Sequence, residues 1–238
     1  MKAMVLLVAL LGSGAATPKM EGARLRPGSS CYSIVAGDKV IGTTWQTITA
    51  STAQNKPVWD VVVHQKLDGG KFDMRDHFVL DRTTLLPIRM DSKRGIEPSD
   101  RGWHRIDLSY ARDRITGTQE SASGSKAVDV PLTGPTWDGN LWGVTFAALP
   151  LRDGASFQLP FWQYDKGFGI FTVKVVGRQD VDTPAGRVGA WLLDAGPDAA
   201  HPYRYLIGRR TRQELGYSGE GGSQRLTGTC PSEGALPS

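Results

Sequence analysis

The 238-residue sequence predicts an all-β, mostly antiparallel domain, a sandwich or a barrel, with one apolar helix packed on it or inside it. Two observations carry that prediction. Short runs rich in Val, Ile, Thr, Phe and Trp recur along the chain, separated by Gly, Pro and Asp punctuation, which is the pattern of strands joined by turns. Within those runs apolar and polar residues alternate, so each strand offers one face to a core or lumen and one to water. A single stretch breaks the pattern and reads as helix.

The first 15 residues are expected to be a cleaved secretory signal: Lys2 is the positive start, residues 3–11 are apolar, and Ser13, Gly14 and Ala15 are small. That apolar run is too short to span a bilayer. No Cys lies at the expected cleavage point to carry a lipid anchor, and no later run is long enough for a transmembrane span. A polar, Gly- and Pro-containing segment, 16–29, reads as a flexible arm. The single domain is expected over 30–230, with a disordered tail at 231–238. The localisation implied is periplasmic or secreted. Removing Lys2 lowers the net charge from +4 to +3, spread evenly, which argues against a nucleic-acid partner. The densest basic spot is Arg209, Arg210 and Arg212, where a solvated turn and an anion site explain the sequence equally well.

The two cysteines, Cys31 and Cys230, stand near opposite ends of the mature chain. In an oxidising compartment such an isolated pair favours a disulfide. That bridge requires the first and last strands to be close.

Along the chain, 31–36 and the run from Lys39 are strands around a Gly37-Asp38 turn. Residues 57–67 and 71–80 form the next pair, with Asp68-Gly69-Gly70 between them. The tight loop sets the register, which places Trp59, Val61, Val63 and Leu67 on one face with Phe72, Met74, Phe78 and Leu80. Asp60, His64 and Lys66 then share the other, charged face with Lys71, Asp73, Arg75 and His77. Strands follow at 86–93, 103–111, 113–121, 126–132, 156–164 and 168–178, the last alternating Phe171, Val173 and Val175 with Thr172 and Lys174. Three more end the series: the one holding Trp191, then 203–208 and 212–219. Between Val181 and Trp191, Pro184 suits turn position i+1, Gly186 suits a positive φ, and the Thr183 hydroxyl can brace the corner. Every residue there has a turn role, so neither Asp182 nor Thr183 calls for a catalytic one.

The exception is 136–149. Thr136 reads as an N-cap, Trp137, Leu141, Val144 and Ala148 fall at helical spacing, and Pro150 ends the run. Trp142 and Phe146 form a second apolar stripe, so this helix is buried on more than one side, although Gly139 and Gly143 weaken it. It either lids an open lumen or completes a filled core.

Strand, V-D-T-P-A-G corner and strand (residues 181–186 and onward) resemble the C-terminal signature of a widespread family of exported bacterial proteins known as a domain of unknown function. The opening hairpin through Val40-Ile41-Gly42, the stretch from Trp137 to Leu151 and the Gly154-Ala155-Ser156-Phe157 step are similar as well, so the resemblance covers roughly 30–228. It implies a curved sheet or partly open β-barrel like that of bacterial lipoprotein carriers. It implies no catalytic residue.

No nucleophile-elbow, zinc-protease, phosphate-loop or dinucleotide motif occurs. His64 and His77 with Asp60 and Asp73 would be the metal candidates, but Lys66, Lys71 and Arg75 on the same face oppose a cation, and no metal is expected. The leading reading is a non-enzymatic exported protein holding an apolar or lipid-like small molecule, without cofactor. The ligand would lie between the sheet and the 137–149 helix, against Trp59, Val61, Phe72, Trp142, Phe146 and Phe171. Two rivals stand: a structural or interaction domain with a filled core, and a hydrolase whose site is assembled from dispersed residues.

Overall fold

The computed structural model describes residues 17–67 and 71–228. The expected signal segment, the Asp68-Gly69-Gly70 turn, Cys230 and the expected tail lie outside the described residues.

Fifteen strands form one sheet: β1 (Gly28–Ala36), β2 (Lys39–Ala53), β3 (Lys56–Leu67), β4 (Phe72–Asp81), β5 (Pro87–Arg94), β6 (His104–Tyr110), β7 (Arg114–Ser121), β8 (Gly124–Pro131), β9 (Trp137–Asp138), β10 (Ser156–Gln163), β11 (Gly167–Thr183), β12 (Gly186–Gly196), β13 (Tyr203–Gly208), β14 (Glu214–Gly219) and β15 (Gly222–Thr227). The five-residue helix α1 (Gly143–Ala147) sits between β9 and β10 in the chain. Strand order is 8-7-6-5-4-3-2-1-15-14-13-12-11-10-9, antiparallel throughout except for the short β9–β10 pair.

This order makes the sheet curl. Laid flat, fifteen strands about 4.8 Å apart would hold the edges ~67 Å from each other. Yet the edge strands β8 and β9 are joined by residues 132–136 alone. Five linking residues reach about 20 Å at most. The sheet must bend back on itself, and register shifts in β1–β2, β4–β5, β11–β12 and β13–β14 mark places where bulges add twist. The result is the open, curved, mostly antiparallel sheet that the strand pattern and the resemblance imply. β1 and β15 pair side by side, with Cys31 opposite Thr227.

The concave face holds one apolar cluster. Trp59, Val61, Phe78, Leu80, Met90 and Leu108 come from one half of the sheet. Leu159, Phe171, Val173, Leu193, Tyr205 and Ile207 come from the other, and Phe146 and Leu149 lie among them. The β3–β4 register follows the predicted face: Trp59 opposes Leu80, Val61 opposes Phe78, and Leu67 opposes Phe72.

Four expectations are corrected. The helix expected over 136–149 is five residues long. Asp138 accepts hydrogen bonds from the Asn140 backbone N–H and side-chain amide, which turns the chain, and Thr136 donates to the Gly134 carbonyl instead of capping a helix. Trp137–Asp138 pair with Phe161–Trp162 as strand. The segment expected to be a loose arm is packed down: Met20 and Leu25 join the core, Gly22 N–H donates to Thr83 O, and Trp59 Nε1–H donates to Gly22 O. The charged face of β3–β4 does not all face water. His64 is fully buried, 5.3 Å from the Trp45 ring and bonded to Asp73 at 2.6 Å, while the apolar face carries the buried Asp76 opposite Val63. Finally, β15 is a strand that the polar run after Gly219 does not announce.

Candidate functional site

A cavity of ≈ 320 Å³ opens on the concave side where α1 meets the sheet. One wall is aromatic. Trp142, the residue before α1, stacks on Phe171 of β11 with ring centroids 3.3 Å apart and meets Phe161 of β10 edge-on at 5.0 Å. Tyr205 of β13 and Tyr217 of β14, 5.2 Å apart, continue it. These rings share a wall because β10, β11, β13 and β14 each turn alternate residues inward.

The rest of the lining is largely polar, with Glu214 and Lys166 as its acidic and basic members. Gln65 of β3 donates to Thr44 of β2 at 3.3 Å, and Thr44 donates to Gln224 Oε1 of β15 at 2.9 Å. Gln224 in turn donates to Glu214 at 3.4 Å. Glu214 is buried, and burial pushes its carboxyl up to about 7, partly opposed by the Gln224 hydrogen bond. Its carboxyl lies against Gly143, the first residue of α1. A Cβ there would displace the Glu214 carboxyl, so the glycine that weakens the helix is what lets this carboxyl sit against α1.

Of the residues expected to bind ligand, Trp142 and Phe171 line this cavity. Phe146 is fully buried behind them, 5.4 Å from Phe171 and 4.9 Å from Tyr205. Trp59 and Val61 are fully buried in the core cluster, away from the cavity lining. Phe72 lies at the far end of β4 beneath the Arg94 guanidinium, 4.4 Å above its ring. The amide and carboxyl wall was not foreseen. Gln65 and Gln224 look like ordinary solvent-facing strand residues, and only the parity of β3 relative to Val61 and Val63 hints that Gln65 points inward.

A second polar cluster spans β4, β5 and β6. The Ser92 hydroxyl donates to Asp76 at 2.5 Å and lies 3.0 Å from His104 Nε2. Burial, offset by the Ser92 bond, raises Asp76 to about 7, and burial lowers His104 to about 4. These are the residue types of a nucleophilic triad in a different arrangement. The carboxylate binds the serine itself and does not orient the imidazole, and Ser92 is fully buried. Nearby, Tyr110 donates to the buried Asp138 at 2.5 Å. The cluster satisfies polar groups inside the sheet. On the convex side, His77 sits between Asp91 (2.8 Å) and Asp60 (3.1 Å), while His64 bonds Asp73. The proposed metal candidates are thus divided into separate pairs, and no group of three or more His, Cys, Asp or Glu among the described residues could hold a metal ion. No helix among the described residues is long and apolar enough to cross a membrane.

The architecture is that of a β-barrel-like protein. A solved β-barrel-like protein of a domain of unknown function, DUF1849, from Brucella abortus matches with a TM-score of 0.55 at 13% identity, covering 86% of this chain and 96% of that one. The chain belongs to the family described as protein of unknown function (DUF3108), whose model matches residues 31–215. No protein of curated function matches.

Proposed function

We propose that this protein is an exported, non-enzymatic binding protein of the cell envelope that holds an amphipathic, lipid-like molecule in its concave cavity. The observation that carries the reading is the two-sided lining. An aromatic wall suits an acyl or other apolar body, and the Gln65–Thr44–Gln224–Glu214 side, with Lys166 also in the lining, suits a polar portion. Its volume, ≈ 320 Å³, is at the lower end of the size that small-molecule sites occupy. Export is supported by the sequence of the first 15 residues. A Cys31–Cys230 bridge belongs to the same reading, because Cys31 faces Thr227, three residues before Cys230.

The test pairs N-phenyl-1-naphthylamine, an uncharged apolar dye, with mass spectrometry of organic extracts of the purified protein. The dye is expected to bind one site and to be displaced by extracted lipid. Trp142→Ala should weaken dye binding by about tenfold while the fold survives, since Trp142 is only partly buried and stands at the cavity wall. Phe146→Ala, deep in the core, should instead cost about 3–5 kcal/mol of stability. A parent protein with neither dye binding nor extractable lipid would leave the filled structural domain as the better account.

A further inference from the structure

Away from the aromatic cavity, with which it shares no lining residue, the chain builds a groove of ≈ 930 Å³ lined by Arg24, Arg26, Arg187, Arg209, Arg210 and Arg212. Three separate parts of the chain contribute: the N-terminal segment before β1, the β11–β12 ribbon, and the turn between β13 and β14. Two carboxylates answer these six guanidiniums. Asp180 pairs with Arg187 at 3.4 Å, and Glu21 is shared by Arg24 (2.8 Å) and Arg212 (2.6 Å). Arg26, Arg209 and Arg210 have no acidic partner among the described residues.

The groove is organised as well as charged. Trp191 forms part of its lining, and the Arg209 guanidinium lies over that ring at 5.2 Å. Arg178, itself paired with Asp153, lies over the same ring at 4.9 Å. Arg212 is buried and donates to the Ala147 and Leu149 carbonyls, which pins the turn that presents Arg209 and Arg210. Side chains held this way lose less freedom on binding than solvated ones. A solvated turn accounts for the Arg209-Arg210-Thr211-Arg212 sequence by itself. It does not account for Arg24, Arg26 and Arg187 converging on the same groove.

We infer that this groove is an anion site for a phosphate-bearing small molecule. Planar guanidiniums match phosphate oxygens in pairs, and an excess of fixed positive charge in a concave site favours a multiply charged anion. The phosphate group can come from a soluble phosphorylated compound or from a phospholipid headgroup. A smaller cavity, ≈ 220 Å³, shares Arg26 and Arg212 with the groove and Glu214 with the aromatic cavity, so it links the two through common lining residues.

Titration calorimetry on the full mature chain tests this with three probes: inorganic pyrophosphate, dihexanoyl phosphatidic acid below its micelle concentration, and dihexanoyl phosphatidylcholine as the zwitterionic control. Pyrophosphate is expected to bind one site, more weakly as salt rises. Arg209→Ala/Arg210→Ala should weaken it by about tenfold or more, as should Arg26→Ala with its separate chain origin, because each removes charge-assisted hydrogen bonds. Arg114→Ala, at the exposed Arg114–Asp129 pair on β7, should leave it unchanged. Phosphatidic acid binding much tighter than pyrophosphate identifies a headgroup, and equal binding identifies a soluble phosphate compound. Both outcomes support the site. Absence of binding by both phosphate probes, or affinities unchanged in the arginine variants, overturns it. The apolar dye assay is independent of these arginines, so failure here leaves the reading of the aromatic cavity intact.

Discussion

Glu214 shows how a single residue can set a measurable property of this domain. Its carboxyl is buried, its hydrogen bond comes from a neutral amide, and burial raises its proton affinity until it titrates at about 7. Because the folded form holds this proton more tightly than the unfolded chain, its contribution to stability is fully present below the unfolded carboxyl range. It is lost as pH rises through about 7. Asp76 has the same sign, whereas His104, lowered to about 4, contributes stability that is lost as pH falls. The comparison must therefore be made between variants. Glu214→Gln keeps the shape and removes the titration, so thermal unfolding should show it gaining on the parent between pH 5 and pH 8. The gain is limited to a few kcal/mol, since a tenfold change in proton affinity is worth about 1.4 kcal/mol. A constant difference across that range would mean that the folded protein does not hold the Glu214 proton more tightly than the unfolded chain.

At the scale of elements, the β11–β12 corner and α1 show opposite outcomes. The corner forms as its residues require: Thr183 pairs with Gly186 across the two-residue Pro184-Ala185 turn, Gly186 has φ +104°, and the Thr183 hydroxyl donates to Gly186 O at 2.7 Å. Gly186→Val should lower stability by about 1–3 kcal/mol in denaturant unfolding, because a β-branched residue resists that φ although space for it is open. Asp182→Ala, at an exposed position, should change stability by less than about 0.5 kcal/mol and leave dye binding as it was. Loss of binding in a folded Asp182→Ala protein would make the corner part of the site. The helix failed to extend because local chemistry outweighed its apolar periodicity. Asp138 and Asn140 form a side-chain-braced turn, and Gly139 packs closely on Phe161 and Gln163, so strand pairing with β10 wins over the first helical turns.

For the whole molecule, closure joins the two ends of the chain at the middle of the sheet. β1 pairs with β2 on one side and with β15 on the other, so both halves of the curl hang from this seam. A Cys31–Cys230 disulfide would lock it. Such a long loop gives an upper limit of about 5 kcal/mol on chain-entropy grounds. Non-reducing peptide mapping of material exported to an oxidising compartment should recover the linked peptides, and reduction should lower the melting temperature. Two free thiols in folded, exported protein would refute the bridge.

Most strand positions, the Trp59–Leu80 and Val61–Phe78 pairs of the β3–β4 face, the 181–191 corner and the all-β class were legible because they depend on local turn chemistry and period-two alternation. Trp59, Val61 and Phe78 went to the core because a strand must turn alternate residues to one side. Trp142 and Phe171 were recognisable as cavity candidates by their size and apolar character. The polar wall was not, because Thr44, Gln65, Glu214 and Gln224 become one surface only when β2, β3, β14 and β15 curl around a common axis. The arginine groove was half visible as Arg209-Arg210-Thr211-Arg212, but its other three arginines lie far away in the chain. The sequence by itself determined most of the strands, the 181–191 corner and the apolar side of those strands, since those follow from neighbours a few positions apart. Only the tertiary structure decided which polar side chains meet inside the curve and where positive charge concentrates. Those depend on the order in which fifteen strands pair and on the short β8–β9 link that forces the sheet to bend back on itself.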